Sequence, residues 1–196
     1  MCATRLILAS ASPRRKALLY ALGLRCFDVL ESGINEMRHV GEAGQDYALR
    51  VACDKALTVS SKVPDGLVLA ADTIVIYESE ILLKPQDGDE ARRMLMTLSG
   101  RTHTVITAYA LASAGAILEA EPAISYVRFH PLSEQQVREY VATGEPMDKA
   151  GAYGIQGKGG DFIAQVIGSR ESVMGLPVRE VIAALARFGF SPEVET

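Results

Sequence analysis

Residues 67–77 read LVLAADTIVIY, an almost unbroken apolar run with one carboxylate, Asp72, in its middle. A run of that length, rich in Val, Ile and Leu, reads as a strand buried on both faces, so the rest of the chain must cover it with further layers. A carboxylate inside such a strand is costly unless a cation, a metal or hydrogen-bond donors meet it. Asp72 is therefore the first residue to weigh for chemistry. A bulge or strand end held by local hydrogen bonds is the plainer alternative.

The covering layers are legible as alternating patterns. Residues 6–9 read as a short buried strand that runs into Ser10-Ala11-Ser12-Pro13, where Ser12 suits an N-cap and Pro13 the first helical position. That helix should stop at Gly23. A second strand is expected over 25–30, a helix over 46–60 and a short strand over 81–83. Asp87 with Glu90 and Ser133 with Gln136 fit capping boxes, the first opening a helix to Leu98 and the second a helix that ends at Gly144. Residues 102–112 and 117–129 read as a long hairpin turned at Ala114-Gly115, and 161–167 as a strand. A last helix starts at Pro177 with Val181, Ala184, Leu185 and Phe188 inward. The expected class is α/β, a mixed twisted sheet flanked by helices. Neither a repeat nor a linker divides the chain, so a single domain over residues 1–196 is expected.

Three further segments carry polar groups where chemistry would use them. Ser10, Ser12, Arg14 and Arg15 stand at a strand-to-helix turn, where backbone N–H groups and the helix dipole favour anions. Two hydroxyls and two guanidinium groups there suit phosphate, although an ordinary helix start reads the same way. Lys84 follows a short hairpin that would return it to the edge holding Asp72. Glu36 in a polar loop and Lys55 on a helix read, taken alone, as surface charge. Residues 144–157 combine several glycines with Asp148, Lys149 and Gln156, an acceptor, a cation and an amide able to read a base edge. His39, His103 and His130 lack metal-ligand spacing.

Bulk properties narrow the class. A formal net charge of −4 argues against sequence-independent binding to nucleic acid. The apolar runs fall short of the ~20 residues of a membrane span, and no signal-peptide pattern opens the chain. The three cysteines, Cys2, Cys26 and Cys53, are scattered and read as reduced thiols, with Cys26 and Cys53 as small buried hydrophobes, which makes the cytoplasm the default compartment. No Ser-His-Asp or Cys-His nucleophile is evident. Carboxylates, lysines and an Arg/Ser pocket fit water attacking a polyphosphate, with Mg²⁺ held through a few oxygen contacts.

In matching order from about residue 5 to residue 185, LASASPRR at 8–15, Ala71-Asp72-Thr73, Lys84-Pro85, LSGRTH at 98–103 and the 144–157 segment resemble the Maf family of nucleoside triphosphate pyrophosphatases. The resemblance implies a mixed α/β fold with a cleft between two lobes, similar to the inosine triphosphate pyrophosphatases. It also implies a divalent cation (Mg²⁺, Mn²⁺ or Co²⁺), a homodimer, and a role in nucleotide-pool cleaning or growth arrest. Carried across, the catalytic acid and proton acceptor matches Asp72, the phosphate-gripping residues match Ser10, Arg14 and Arg15, and the remaining catalytic positions match Glu36, Lys55 and Lys84. Asp72 and Glu36 would be the metal ligands. Many relatives have Asp-Glu where this chain has Asn35-Glu36, which removes one possible ligand. Arg14, Thr73 and Gln156 resemble the branch that hydrolyses dTTP and UTP to the monophosphate and diphosphate, with Asp148 and Lys149 also on the substrate. Modified pyrimidine nucleotides fit the same logic. The alternatives are a pyrophosphatase for 7-methyl-GTP or of broad base tolerance, a nucleotidyltransferase, and a non-catalytic nucleotide-binding regulator of cell division.

Overall fold

The computed structural model describes residues 5–191, and Cys2 lies outside them. The described residues form two compact units, one from 5–72, 107–123 and 175–191, the other from 73–106 and 124–174. The expected mixed sheet with flanking helices is present: β2 (Asp28–Val29), β1 (Arg5–Leu8), β3 (Gly66–Tyr77), β5 (Thr102–Ser113), β6 (Ala116–Phe129) and β7 (Ile163–Ile167) lie in that order, and β4 (Glu80–Leu82) pairs with β3. Strands β3 (Gly66–Tyr77), β5 (Thr102–Ser113) and β6 (Ala116–Phe129) each contribute to both units.

In the first unit, β1 (Arg5–Leu8) lies between β2 (Asp28–Val29) and β3, parallel to both, in a register that puts Leu8 beside Val29 and Leu69. The chain leaves β1 into α1 (Pro13–Ala21), which ends before Gly23 at φ +76°, a left-handed position that glycine occupies without strain. Ser12 takes the N-cap position, yet its side chain makes no capping bond. Helix α2 (Gly44–Ser60) buries Tyr47, Ala48, Val51, Ala52, Lys55, Ala56 and Val59 along one stripe, so a lysine stands where the helical period calls for an apolar residue. Helix α6 (Val178–Ala186) completes this unit with Val181, Ala184 and Leu185 inward.

In the second unit, the rest of β3 pairs antiparallel with β4 (Glu80–Leu82), Val75 opposite Leu82. Helices α3 (Gly88–Leu98) and α4 (Glu134–Val141) close over a core that includes Leu95, Phe129, Tyr153 and Phe162. Strand β7 (Ile163–Ile167) pairs with β6, and a short α5 (Arg170–Met174), absent from the sequence reading, follows it. The hairpin turns where expected, with Ala114 and Gly115 both at positive φ, as a tight two-residue turn needs.

Several local expectations are corrected. The strand at 25–30 shrinks to two residues, because it lies at the sheet edge and its residues are exposed. Residues 158–162 form a 3₁₀ turn ahead of β7, dictated by the glycines there. The Ser133/Gln136 capping box is complete, whereas Glu90 reaches the Gln86 amide at 2.8 Å and leaves the Asp87 box half made. Phe188 lies past the end of α6 and is exposed. Cys26 is exposed ahead of the shortened β2, and Cys53 is half-buried at the margin of the α2 stripe.

His103 is buried among Phe129 and Tyr153, with edge-on ring contacts to both. Its Nε2 meets the Tyr153 hydroxyl at 2.8 Å, and Nδ1 has no hydrogen-bond partner among the described residues. Burial pushes its pKa down to about 4. A histidine that stays neutral when folded but takes a proton near pH 6.5 when unfolded loses stability as pH falls between those values. Unfolding free energy is expected to drop by about 2 kcal/mol between pH 7 and pH 5 from this residue. Urea titrations at the two pH values should show that drop in the parent and its absence in His103→Phe.

Candidate functional site

The three parallel strands of the first unit bring their carboxyl ends together, where open parallel sheets place ligands. Strand β1 delivers the Ser10–Arg15 turn, β2 leads into the loop carrying Glu36, and β3 runs three residues past the Leu69 pairing to Asp72. Helix α2 contributes Lys55 from its buried stripe.

Lys55 Nζ lies 2.8 Å from Asp72 Oδ1 and 2.8 Å from Glu36 Oε1, so one ammonium bridges two carboxylates. Lys55 and Asp72 are buried, and Glu36 is half-buried. Burial raises the Asp72 pKa above its ordinary value, although Lys55 and Arg15 pull it back. The pair explains how the strand tolerates its carboxylate, and the net upward shift leaves Asp72 a stronger proton acceptor than a solvated aspartate.

Arg15 donates from Nη1 to Ser10 Oγ at 3.0 Å and from Nε to the Gly175 carbonyl at 2.7 Å. Burial lowers its pKa while Asp72 and Glu36 raise it, so its guanidinium shares the field of both acids. Ser10 is buried and its hydroxyl also accepts from the Ser12 amide at 3.2 Å. The first turn of α1 carries Arg14 and Arg15 and no acidic residue. A phosphate at this helix N-terminus would be favoured by the helix dipole and by both guanidinium groups.

The structure thus brings Ser10, Arg15, Glu36, Lys55 and Asp72 together, with Arg14 beside Arg15. The remaining candidates belong to the second unit. Thr73 follows Asp72 on β3 and is half-buried. Lys84 is exposed two residues beyond Leu82, in line with the β3–β4 register that would bring it level with Thr73. Gln156 and Asp148 are exposed. Lys149 is turned into its own loop, donating to the Glu145 carbonyl at 2.5 Å and pairing with Asp148 at 2.6 Å.

That loop has organisers to which the sequence reading gave no role. Glu145 accepts from the Tyr140 hydroxyl at 2.9 Å and from the amides of Lys158 and Gly159 at 3.2 and 3.4 Å. Gly159 packs so tightly that a Cβ there would come within 2.6 Å of the Gly154 carbonyl. Glu145 between Gly144 and Pro146 was a visible signal, since a carboxylate beside a glycine-rich turn has many amides to bind.

The donor chemistry also fits a hard divalent cation. Asp72 and Glu36 supply oxygen ligands at one point, and Mg²⁺ or Mn²⁺ commonly takes one or two carboxylates with the rest of its shell from phosphate and water. Among the described residues no cluster of three or more His, Cys, Asp or Glu side chains is placed to hold a metal, so such an ion would depend on its substrate for ligands.

The chain is 48% identical over 186 residues to the dTTP/UTP pyrophosphatase of Yersinia pestis bv. Antiqua, covering 94% of this chain and 93% of that one. With the dTTP/UTP pyrophosphatase of Myxococcus xanthus it shares 50% identity, over 95% of this chain and 93% of that one. Among solved structures, a HAM1 protein from Coxiella burnetii matches 94% of this chain and 99% of its own at 13% identity with a TM-score of 0.46, too distant to carry weight. The model of the Maf-like protein family matches residues 5–188, and the chain belongs to that family.

Proposed function

We propose that this protein hydrolyses dTTP and UTP to the nucleoside monophosphate and pyrophosphate. The observation that carries the reading is the Lys55 bridge between Asp72 and Glu36 beside an arginine-rich helix start. It puts a proton acceptor of raised pKa next to an anion-binding turn. Relatives at 48% and 50% identity named dTTP/UTP pyrophosphatase support the same substrates.

Ser10, Arg14 and Arg15 grip the triphosphate, and Lys84 adds charge against the leaving pyrophosphate. Asp72 takes a proton from the water that attacks the α-phosphorus, and the bond between that phosphorus and the α,β-bridging oxygen breaks. Lys55 holds the Asp72 and Glu36 carboxylates in place. Asp72 and Glu36 would hold a divalent cation, which would polarise the phosphate oxygens. Gln156 pairs with the O4 and N3–H edge of uracil or thymine, with Thr73, Asp148 and Lys149 lining the substrate. In this reading the protein works in the cytoplasm as a homodimer, and no helix among the described residues is long and apolar enough to cross a membrane.

A panel of nucleoside triphosphates with Mg²⁺ or Mn²⁺ tests the proposal. UTP and dTTP should yield UMP or dTMP and pyrophosphate, and Gln156→Ala should narrow their advantage over other bases about tenfold. Best cleavage of 7-methyl-GTP would overturn the base assignment, and release of inorganic phosphate alone would overturn the reaction.

A further inference from the structure

The loop between β2 and α2 carries Glu36 without regular secondary structure, and it has little apolar anchorage. Met37 and Val40 are exposed, so hydrophobic burial does not fix it. A polar clamp does. Arg50, on α2, makes a two-pronged bond to Glu42, Nε to Oε1 at 2.7 Å and Nη2 to Oε2 at 2.9 Å. The same Nη2 donates to the Met37 carbonyl at 3.0 Å, one residue past Glu36. Glu42 Oε2 also accepts from the His39 amide at 3.0 Å. The guanidinium lies 5.5 Å from the centre of the Tyr47 ring, and the Tyr47 hydroxyl donates to the Glu36 carbonyl at 2.7 Å. The backbone is therefore held at Glu36, Met37 and His39 by side chains that converge on one arginine.

We infer that Arg50, with Glu42, is a positioning residue for catalysis: it fixes the loop so that the Glu36 carboxylate meets Lys55 and Asp72. The inference rests on the reading of Glu36 as a working carboxylate in the proposed hydrolysis. Among the described residues Arg50 donates to Glu42, Asp54 and Met37 and not to Lys55 or Asp72, so its effect must pass through the loop. Its other ion pair among the described residues, to Asp54 at 3.2 Å, lies on its own helix. Removal of an outer partner that orients such a group commonly costs about 10- to 100-fold in activity or metal affinity.

The test is a double-mutant cycle on dTTP hydrolysis. Arg50→Met is expected to lower kcat about tenfold with KM within about twofold, and Glu42→Gln to do the same more weakly while leaving α2 intact. In a Glu36→Gln background, Arg50→Met should cost less than about twofold more, because the group it positions is gone. In the metal-free protein, amide hydrogen exchange across residues 36–42 should accelerate in both variants, independent of activity. If Glu36→Gln lowers kcat but the full Arg50→Met loss persists on top of it, Arg50 acts elsewhere and the inference is overturned. If Glu36→Gln leaves kcat unchanged, the reading of Glu36 is what fails, and the inference falls with it.

Discussion

Asp72→Asn is expected to slow dTTP hydrolysis about 10³-fold while leaving the protein folded and able to bind nucleotide. Asparagine keeps the size of the side chain and an oxygen for Lys55, but it accepts no proton at neutral pH. The loss should therefore fall on kcat, with KM changed far less. The effect on stability has the opposite sign. Burial raises the Asp72 pKa even with Lys55 and Arg15 beside it, so the ionised form is held in the fold at a cost. A group whose folded pKa is raised adds stability below its unfolded value and loses it as pH rises through the folded value. A neutral isostere carries no such loss. The melting temperature of Asp72→Asn, measured in EDTA, should equal or exceed that of the parent. A variant with normal turnover would leave the protein as a nucleotide binder, and one with a much lower melting temperature would assign Asp72 to the structure.

Much of this site was legible because its most informative residue contradicts its own surroundings. A lone carboxylate in an apolar strand has few explanations, and the structure supplies one of them in Lys55. The Ser10–Arg15 turn was readable for a similar reason, since local chain geometry sets both the helix start and its charge. Lys55 itself was read as surface charge, although its spacing from Val51 and Val59 places it on the buried stripe. The period was present in the sequence. Its contradiction by a charged residue was the signal that was passed over, and the same logic that singled out Asp72 would have singled out Lys55.

What stayed hidden depends on contacts distant in sequence. Nothing in Glu42 or Arg50 alone shows that they clamp the loop from Glu36 to His39, because the two-pronged bond exists only when the loop folds back on α2. The edge strand β2 was overread because an apolar pattern does not show how much of a segment finds a pairing partner. The half-made capping box at Asp87 shows the same limit: Glu90 had two amides in reach, and spacing could not choose between them.

Lys55→Met should produce the largest change in stability of any single substitution in the site. Methionine matches the length of the lysine stem and keeps the helix, so the loss isolates the ammonium. It bridges Asp72 and Glu36 at 2.8 Å each, and without it two carboxylates face one another, one of them buried. Breaking a buried ion pair by removing one partner costs about 3–5 kcal/mol. The metal-free protein at neutral pH is expected to show a deficit of that size in urea unfolding. With Lys55 gone, the Asp72 pKa moves further up, since one of the two cations that lower it is lost. The folded state then binds a proton that the unfolded state does not, and the deficit should shrink as pH falls through the raised value. Turnover should fall about 10²-fold, because Asp72 and Glu36 lose the ammonium that holds both carboxylates in place. A role limited to gripping phosphate would give a different pattern: KM would rise, and the stability deficit would be small and independent of pH. Measuring unfolding in EDTA at two pH values therefore separates a lysine that holds the two acids from one that only holds the substrate.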